Sequence, residues 1–458
     1  MTLLKFLASS IILLLCSIEF AYPQCNTNST ILENGRIIDG TGTEPKQGWD
    51  ILICEDKIIE IGQNLSASDS VNRIDISDLT ILPGLIDMHG HLYANQGSSI
   101  SNQQSYLNLF LAGGVTTIYS PGEYDAEGTL ELQKKISLQQ LHGPDILTSG
   151  PYFDHAPSQV PWIRGVSSIE ELESQFNLWK DKINGIKVYT SITEAELSRL
   201  IELADQYNLP VTGHLGSITA SKAIDLGIDG LEHGIIGMPE FFKFGFKSES
   251  IACQDASFDL TDPSIESLIQ KIVENRVYIN PTIVTLKVIS NGFEPVTEWQ
   301  QYVREDILKS ILVLEQMVLD NKDIQNCISN ALAKQNILLK EINDRGGLIV
   351  AGTDPVVPML TPGFGLHREM ELLVEAGLSP MEAIQAATIN AAKALRKEGE
   401  FGSIEVGKLA NFVVVHGDPS QNISDIGNTV MIIKDGIQYD PAKLRESALG
   451  EIGNEGNN

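Results

Sequence analysis

Six side chains have the types and spacing needed to hold metal ions: His89 and His91 in LPGLIDMHGHLY, Lys187 in GIKVYT, His214 in VTGHLG, His233 in GLEHG and Asp354 in IVAGTDP. Each closes a short apolar run that reads as a β-strand. Alternate residues of a strand share a side, so His89 and His91 can grip one ion while Met88 and Gly90 face away. Neutral imidazole suits zinc and similar ions, and a carboxylate such as Asp354 completes a site that keeps one position open for water. Taken singly, an H-x-H pair or a strand-end histidine is more often a surface or packing feature. Their ordered co-occurrence is what points to a centre of two divalent metal ions, with zinc the expected species.

The elements that must position these residues are also readable. Strand-like runs alternate with amphipathic helical ones such as SIEELESQFNLWKDK, TEAELSRLIELADQY and SPMEAIQAATINAAKAL, which predicts parallel βα units. The runs end near His89, Ser120, Gly150, Tyr189, His214, His233, Val284 and Asp354. Eight strands predict an α/β fold, a (β/α)8 TIM-like barrel over residues 81–399. All six ligand candidates fall at carboxyl ends, the face where such barrels place their active sites. Residues 25–80 and 400–446 read differently: ILENGRIIDG, WDILICEDKIIEIG, ANFVVVHGD and MIIKDGIQYD are short β-rich stretches separated by turn residues. They predict a small discontinuous β-sandwich domain built from both chain ends, followed by a flexible tail over 447–458.

The interval from His233 to Asp354 is far longer than two βα steps require. Its surplus, at 236–268 and 287–325, reads as elaborated loops that either close over the metal face or form the contact of a homo-oligomer.

Composition bounds the class. A chain of 458 residues with 42% hydrophobic residues and 39 glycines is a globular protein rather than a disordered one. Its 60 acidic residues against 32 basic ones give a formal charge of −28, which argues against nucleic acid as a partner. Residues 1–24 read as a signal peptide: Lys5, an apolar run from Phe6 to Ile18, then a short polar stretch with Ala21 as a cleavage residue. The run is short for a membrane span, and no later run reaches spanning length. The expectation is an exported protein, periplasmic or secreted. In an oxidising compartment Cys25, Cys54, Cys253 and Cys327 permit three pairings, of which two local bridges, Cys25 with Cys54 and Cys253 with Cys327, are favoured.

The ligand set, together with ILENGRIIDGTGTEP, LLVEAGLSPMEAIQAATINAAKAL and GSIEVGKLANFVVVHGDP, resembles the amidohydrolase superfamily. The likeness is to its binuclear metal branch, related to prolidases, imidazolonepropionases and secreted carboxypeptidase-like members, and covers nearly the whole chain after residue 30. The resemblance implies that His89, His91 and Asp354 hold the more buried ion, that His214 and His233 hold the second, and that Lys187 bridges both as N6-carboxylysine. Burial and nearby dications disfavour an ammonium and favour the neutral amine that reacts with carbon dioxide. One departure is Asn411, where the family's closing motif usually carries aspartate; its place in the β-domain suggests an effect on a turn rather than on chemistry.

The function implied is an exported metal-dependent amidohydrolase that cleaves a peptide or N-acyl-amino-acid bond with a metal-bridging hydroxide. Asp354 serves as proton shuttle. Tyr189, two residues after Lys187, is a candidate to polarise the substrate carbonyl. Tyr93, Tyr152, His155, Arg164 and His367 are candidates for substrate binding, Arg164 as a bidentate clamp on a carboxylate. His142 is expected on the opposite face and His416 in the β-domain. A cyclic-amide hydrolase or deaminase of the imidazolonepropionase type is the alternative, but those relatives often use one metal and lack the bridging lysine. A non-catalytic binding barrel would not need the intact ligand set.

Overall fold

Eight short parallel strands ring a common core: Leu85–Asp87, Val115–Ser120, Asp145–Thr148, Ile186–Val188, Val211–Gly213, Gly230–Glu232, Tyr278–Asn280 and Leu348–Ile349. They belong to a computed structural model that describes residues 29–68, 70–92, 103–160, 163–247, 250–255, 260–291, 299–355 and 362–452. The strands pair in chain order in two arcs, three in one and five in the other. Phe153 bridges one seam, its N–H donating to the Lys187 carbonyl at 2.9 Å and its carbonyl accepting from the Tyr189 N–H at 3.0 Å. At the other seam the Met88 N–H donates to the Ala351 carbonyl at 2.9 Å, and the Asp354 N–H to the His89 carbonyl at 2.7 Å. The expected (β/α)8 barrel is thereby closed.

Helices between the strands form where the apolar spacing placed them, except that SPMEAIQAATINAAKAL breaks at Thr388 into Pro380–Ala386 and Ile389–Ala394, and local chemistry fixes where they start. Ser168 caps Ile169–Trp179 by accepting the Glu171 N–H. Thr193 with Glu196, and Ser379 with Glu382, form capping boxes for Glu194–Asp205 and Pro380–Ala386. Leu172, Phe176, Leu197, Leu200 and Ala204 from these helices are fully buried against the barrel. Burial of each large side chain among them stabilises the fold by about 1.5–3 kcal/mol.

The seventh strand departs from the sequence reading. It ends at Asn280, and the apolar run through Val284 is the start of a helix, Ile283–Asn291. Pro281 and the left-handed backbone of Thr282 (φ 45°) break the strand, and the buried Glu369 carboxylate accepts the N–H groups of Ile283 and Val284 at 3.0 and 2.7 Å. An apolar run alone does not reveal this helix start, because its cap lies 86 residues away in sequence.

The surplus between the sixth and eighth strands is largely regular structure. It holds a hairpin, Phe242–Lys247 with Ser250–Asp255, and the helices Glu305–Asp320 and Lys322–Asp344. The hairpin packs on the longer helix, and these two elements carry Cys253 and Cys327. Cys327 and Cys54 are both disulfide-bonded; Cys25 lies outside the described residues.

Five strands from the amino-terminal segment and three from the carboxyl-terminal one form a single eight-stranded sheet. The halves meet where Leu79–Pro83 runs antiparallel to Phe412–His416. The sheet curls on itself: at its far edge Lys57 bridges Leu409, and the Ile58 N–H donates to the Lys408 carbonyl at 3.0 Å. Leu32, Ile53, Ile81, Phe412 and Val414 fill the interior. The sandwich is thus one rolled sheet rather than two separate ones. Asn411 accepts the Asp435 N–H through Oδ1 at 2.7 Å, anchoring the turn between Thr429–Lys434 and Ile437–Tyr439. The tail is seated as far as Ile452, which exchanges hydrogen bonds with Arg304 and Tyr302, while Ala448 is buried against Leu109. The expected fraying at 447–452 is therefore not what the packing gives. Residues 1–24, read as a signal peptide, lie outside the described residues, and among the described residues no helix is long and apolar enough to cross a membrane.

Candidate metal centre

Asp87, the last residue of the first strand, is a buried junction. Its Oδ1 accepts the N–H groups of His89 and Thr353, both at 3.0 Å, and its Oδ2 accepts the Thr353 hydroxyl at 2.7 Å. The ends of the first and eighth strands are so tied together, and His89 meets Asp354. Gly90 lets the two histidines pass close to the second strand, since a Cβ there would stand 2.4 Å from Cγ2 of Ile118. Asp354 and His233 hold left-handed backbones, with φ of 48° and 63°, an uncommon conformation for such residues that concentrates at functional sites.

His89, His91 and Asp354 converge so that one ligand atom of each lies within 4.8 Å of the others. Asp354 Oδ1 is 3.6 Å from His89 Nε2 and 3.3 Å from His91 Nε2, while its Oδ2 is 3.5 Å from His233 Nδ1. The His233 ring stands 5.1 Å from the His89 ring and 4.6 Å from the His214 ring. Lys187 is buried on the fourth strand, and neither its Nζ nor Asp354 Oδ1 has a hydrogen-bond partner among the described residues. Burial lowers the Lys187 pKa against the pull of Glu232 and Asp354. Burial likewise takes His214 down to about 4 and His233 well below the usual histidine range. Rings kept neutral and a carboxylate without a donor are the chemistry of a divalent-cation site, so the residues fit the group.

The ligands are braced from behind. Glu232, buried beneath them, accepts from the Thr212 hydroxyl at 2.7 Å and the Asn280 amide at 2.9 Å, and bonds His89 Nδ1 at 2.7 Å. That contact leaves His89 Nε2 as the free ligand atom. Burial pushes Glu232 up, but Lys187 and His89 outweigh it and hold its carboxyl at about 2. His233 Nδ1 meets the Thr282 hydroxyl at 3.0 Å. Sequence reasoning missed Glu232, Asp87, Thr212, Asn280 and Thr282. Only Glu232 left a signal, a carboxylate embedded in the apolar run GLEHG.

The remaining candidates divide. Tyr189 is half-buried, its ring 5.1 Å from that of His214 and 5.0 Å from that of Tyr152, which puts Tyr189 beside His214 and Tyr152 behind it. Burial raises both hydroxyls above the usual phenol range, keeping them protonated donors. His155 is turned to Glu196, its Nδ1 2.7 Å from Oε1, and so ties its loop to the capping box of Glu194–Asp205. Arg164 projects into solvent with 92% of its side chain exposed and meets Glu171 at 3.6 Å. His367 is buried and donates from Nε2 to the Gly113 carbonyl at 2.7 Å. Gly113 precedes the amino end of the second strand, so His367 braces the face opposite the ligands. Tyr93 lies outside the described residues. His142 packs on Tyr439, and His416 closes a strand of the rolled sheet.

A closed eight-stranded barrel with a His89, His91 and Asp354 cluster at the carboxyl face of its strands fits a metal-dependent hydrolase. The chain belongs to the amidohydrolase family, whose profile matches residues 80–437. Among curated relatives, imidazolonepropionase of Fusobacterium nucleatum is 22% identical over 421 residues, 84% of this chain and 87% of that protein. Dihydroorotase of Citrifermentans bemidjiense is 42% identical over 66 residues, and the chain spans only 14% of its length. Among solved structures, a Xaa-Pro dipeptidase with methionine bound in its active site superposes with a TM-score of 0.66 at 25% identity, over 90% of this chain and 100% of that one. A bottromycin amidohydrolase superposes with a TM-score of 0.71 at 17% identity, over 92% and 91% of the two chains.

Proposed function

We propose that the protein is an exported hydrolase of amide bonds in short peptides or N-acyl amino acids. The observation that carries this is the convergence of His89, His91 and Asp354 beside a buried Lys187 that has no hydrogen-bond partner among the described residues. In this reading His89, His91 and Asp354 would hold one divalent ion and His214 and His233 a second, with Lys187, as N6-carboxylysine, contributing to both. Zinc is the species proposed. When bound, the ions supply an activated water and polarise the scissile carbonyl.

The chain's own residues do the rest. Asp354 accepts a proton from the attacking water and delivers it to the departing nitrogen. Glu232 fixes the His89 tautomer, and the Tyr189 hydroxyl donates to the carbonyl oxygen as charge develops there. The dipeptidase likeness supports peptides as substrates. The imidazolonepropionase likeness, which runs along most of both chains, supports cyclic amides as a second reading. Export is supported by the leader at residues 1–24 and by the disulfide bonds of Cys54 and Cys327.

The test is amino-acid release, followed by mass spectrometry, from a pooled dipeptide and N-acyl-amino-acid library incubated with zinc-loaded protein. Release that vanishes in Asp354→Asn supports the proposal. No release from fully metallated protein, with turnover of cyclic amides, transfers it to the second reading.

A further inference from the structure

Next to the ligand cluster lies a cavity of about 530 Å³ between the ends of the second and third strands and the helix Ile169–Trp179. Tyr152 connects the two places: it lines the cavity, and its ring packs on Tyr189, which packs on His214. Glu123 also lines it. Glu123 is 4% exposed, and its Oε1 has no hydrogen-bond partner among the described residues. A buried carboxylate oxygen without a donor is costly and signals a missing partner.

Charge decides what that partner is. Asp125, Glu127 and Glu171 line the same cavity; Arg164 lines it too, and Lys182 pairs with Glu127 at 3.7 Å while resting over the Trp179 ring. Arg164 stands out in solvent beside Glu171, while Asp125 is engaged as a helix cap. Glu123 is the most buried of these acids: its carboxylate lies against the Ser120 and Thr129 hydroxyls, while its Oε1 is left without a hydrogen-bond partner among the described residues. Burial pushes its carboxyl up to about 7 against the pull of Ser120 and His91, a cost that a bound cation would offset.

We infer that this cavity receives a positively charged arm of the substrate, an ammonium or guanidinium group, with Glu123 as its hydrogen-bonding partner. The inference deepens the amide-hydrolase reading and rests on it for the identity of the neighbouring site.

Binding of n-butylguanidinium and of its neutral isostere n-butylurea to the zinc-loaded protein, followed by tryptophan fluorescence and calorimetry, tests it directly. The cation is expected to bind at least tenfold more tightly, and the difference to disappear in Glu123→Gln. A merely structural Glu123 would weaken both probes alike. Equal binding to the wild type, a comparison that needs no variant to fold, overturns the inference, as does a preference that survives in Glu123→Gln. Hydrolysis separates the two readings. Lysyl and norleucyl dipeptides cleaved equally well overturn the cationic subsite and uphold the amidase. No cleavage of either, with charge-selective binding retained, upholds the subsite and overturns the amidase.

Discussion

Nδ1 of His89 and Oε2 of Glu232 lie 2.7 Å apart with both side chains buried, so the end of the first barrel strand is hydrogen-bonded to the sixth. This contact turns a histidine near an aspartate into an oriented ligand, because it commits Nδ1 as the donor and leaves Nε2 towards Asp354. Thr212 and Asn280 hold Glu232 in turn, so strands one, five, six and seven converge on one imidazole.

Glu232→Gln keeps the shape and removes the charge. Metal affinity is expected to fall about 10- to 100-fold, measured by competition with a chelator, with circular dichroism checking that the barrel is intact. Unchanged metal release would mean that Glu232 serves packing alone.

In the proposed mechanism Asp354 both holds metal and moves the proton. Asp354→Asn retains an oxygen ligand and loses the base, so turnover on whichever amide the library reveals is expected to drop by roughly 10²–10⁴-fold while metal content, by plasma emission, falls much less. Near wild-type turnover with metal bound would remove Asp354 from the proton path.

The residues that converge at the candidate site could be picked out in the sequence because they lie in or just after short barrel strands, and strand period and barrel geometry do not depend on distant residues. Residues whose role is made by non-local contacts could not. Glu369 caps a helix start 86 positions away and thereby shortens the seventh strand. His367 resembles a ligand in composition, yet its partner is the Gly113 carbonyl on the opposite face. Arg164 and His155 sit in the right loops, and their directions are set by Glu171 and Glu196. The rolled sheet was legible as two β-rich ends, whereas its closure through Lys57 and Leu409 needed the tertiary structure.

Asp39 secures the turn that leaves the first strand of the rolled sheet. Its carboxylate accepts the Thr41 N–H at 2.9 Å and hydroxyl at 2.6 Å, the Thr43 hydroxyl at 2.7 Å and the Lys46 ammonium at 3.2 Å. Burial raises its pKa, but these donors outweigh burial and leave it below the ordinary aspartate value of 3.8. A depressed acid contributes stability that is present above the unfolded pKa and is lost as pH falls through the folded one. Asp39→Ala is therefore expected to destabilise the protein by about 1–3 kcal/mol at pH 7. That gap, read by urea unfolding, should persist down to about pH 4.5 and narrow below the unfolded value. A gap that does not depend on pH would assign the loss to packing.

Lys187 separates a binuclear centre from a mononuclear one. Its amine is buried and held below the usual lysine pKa by burial, the state in which it can take up carbon dioxide, and the carbamate would carry the negative charge that two dications need. Metal content of wild-type protein prepared with bicarbonate is expected to approach two ions per chain and to decline when carbon dioxide is excluded. In Lys187→Met, which fills the same space without a carbamate, it should stay at or below one ion whatever the bicarbonate. Intact-mass analysis under native conditions should find the carbamate on the wild type and not on the variant. Two ions retained in Lys187→Met would show that His214 and His233 hold their ion without the lysine, and Lys187 would then be a core residue rather than a ligand.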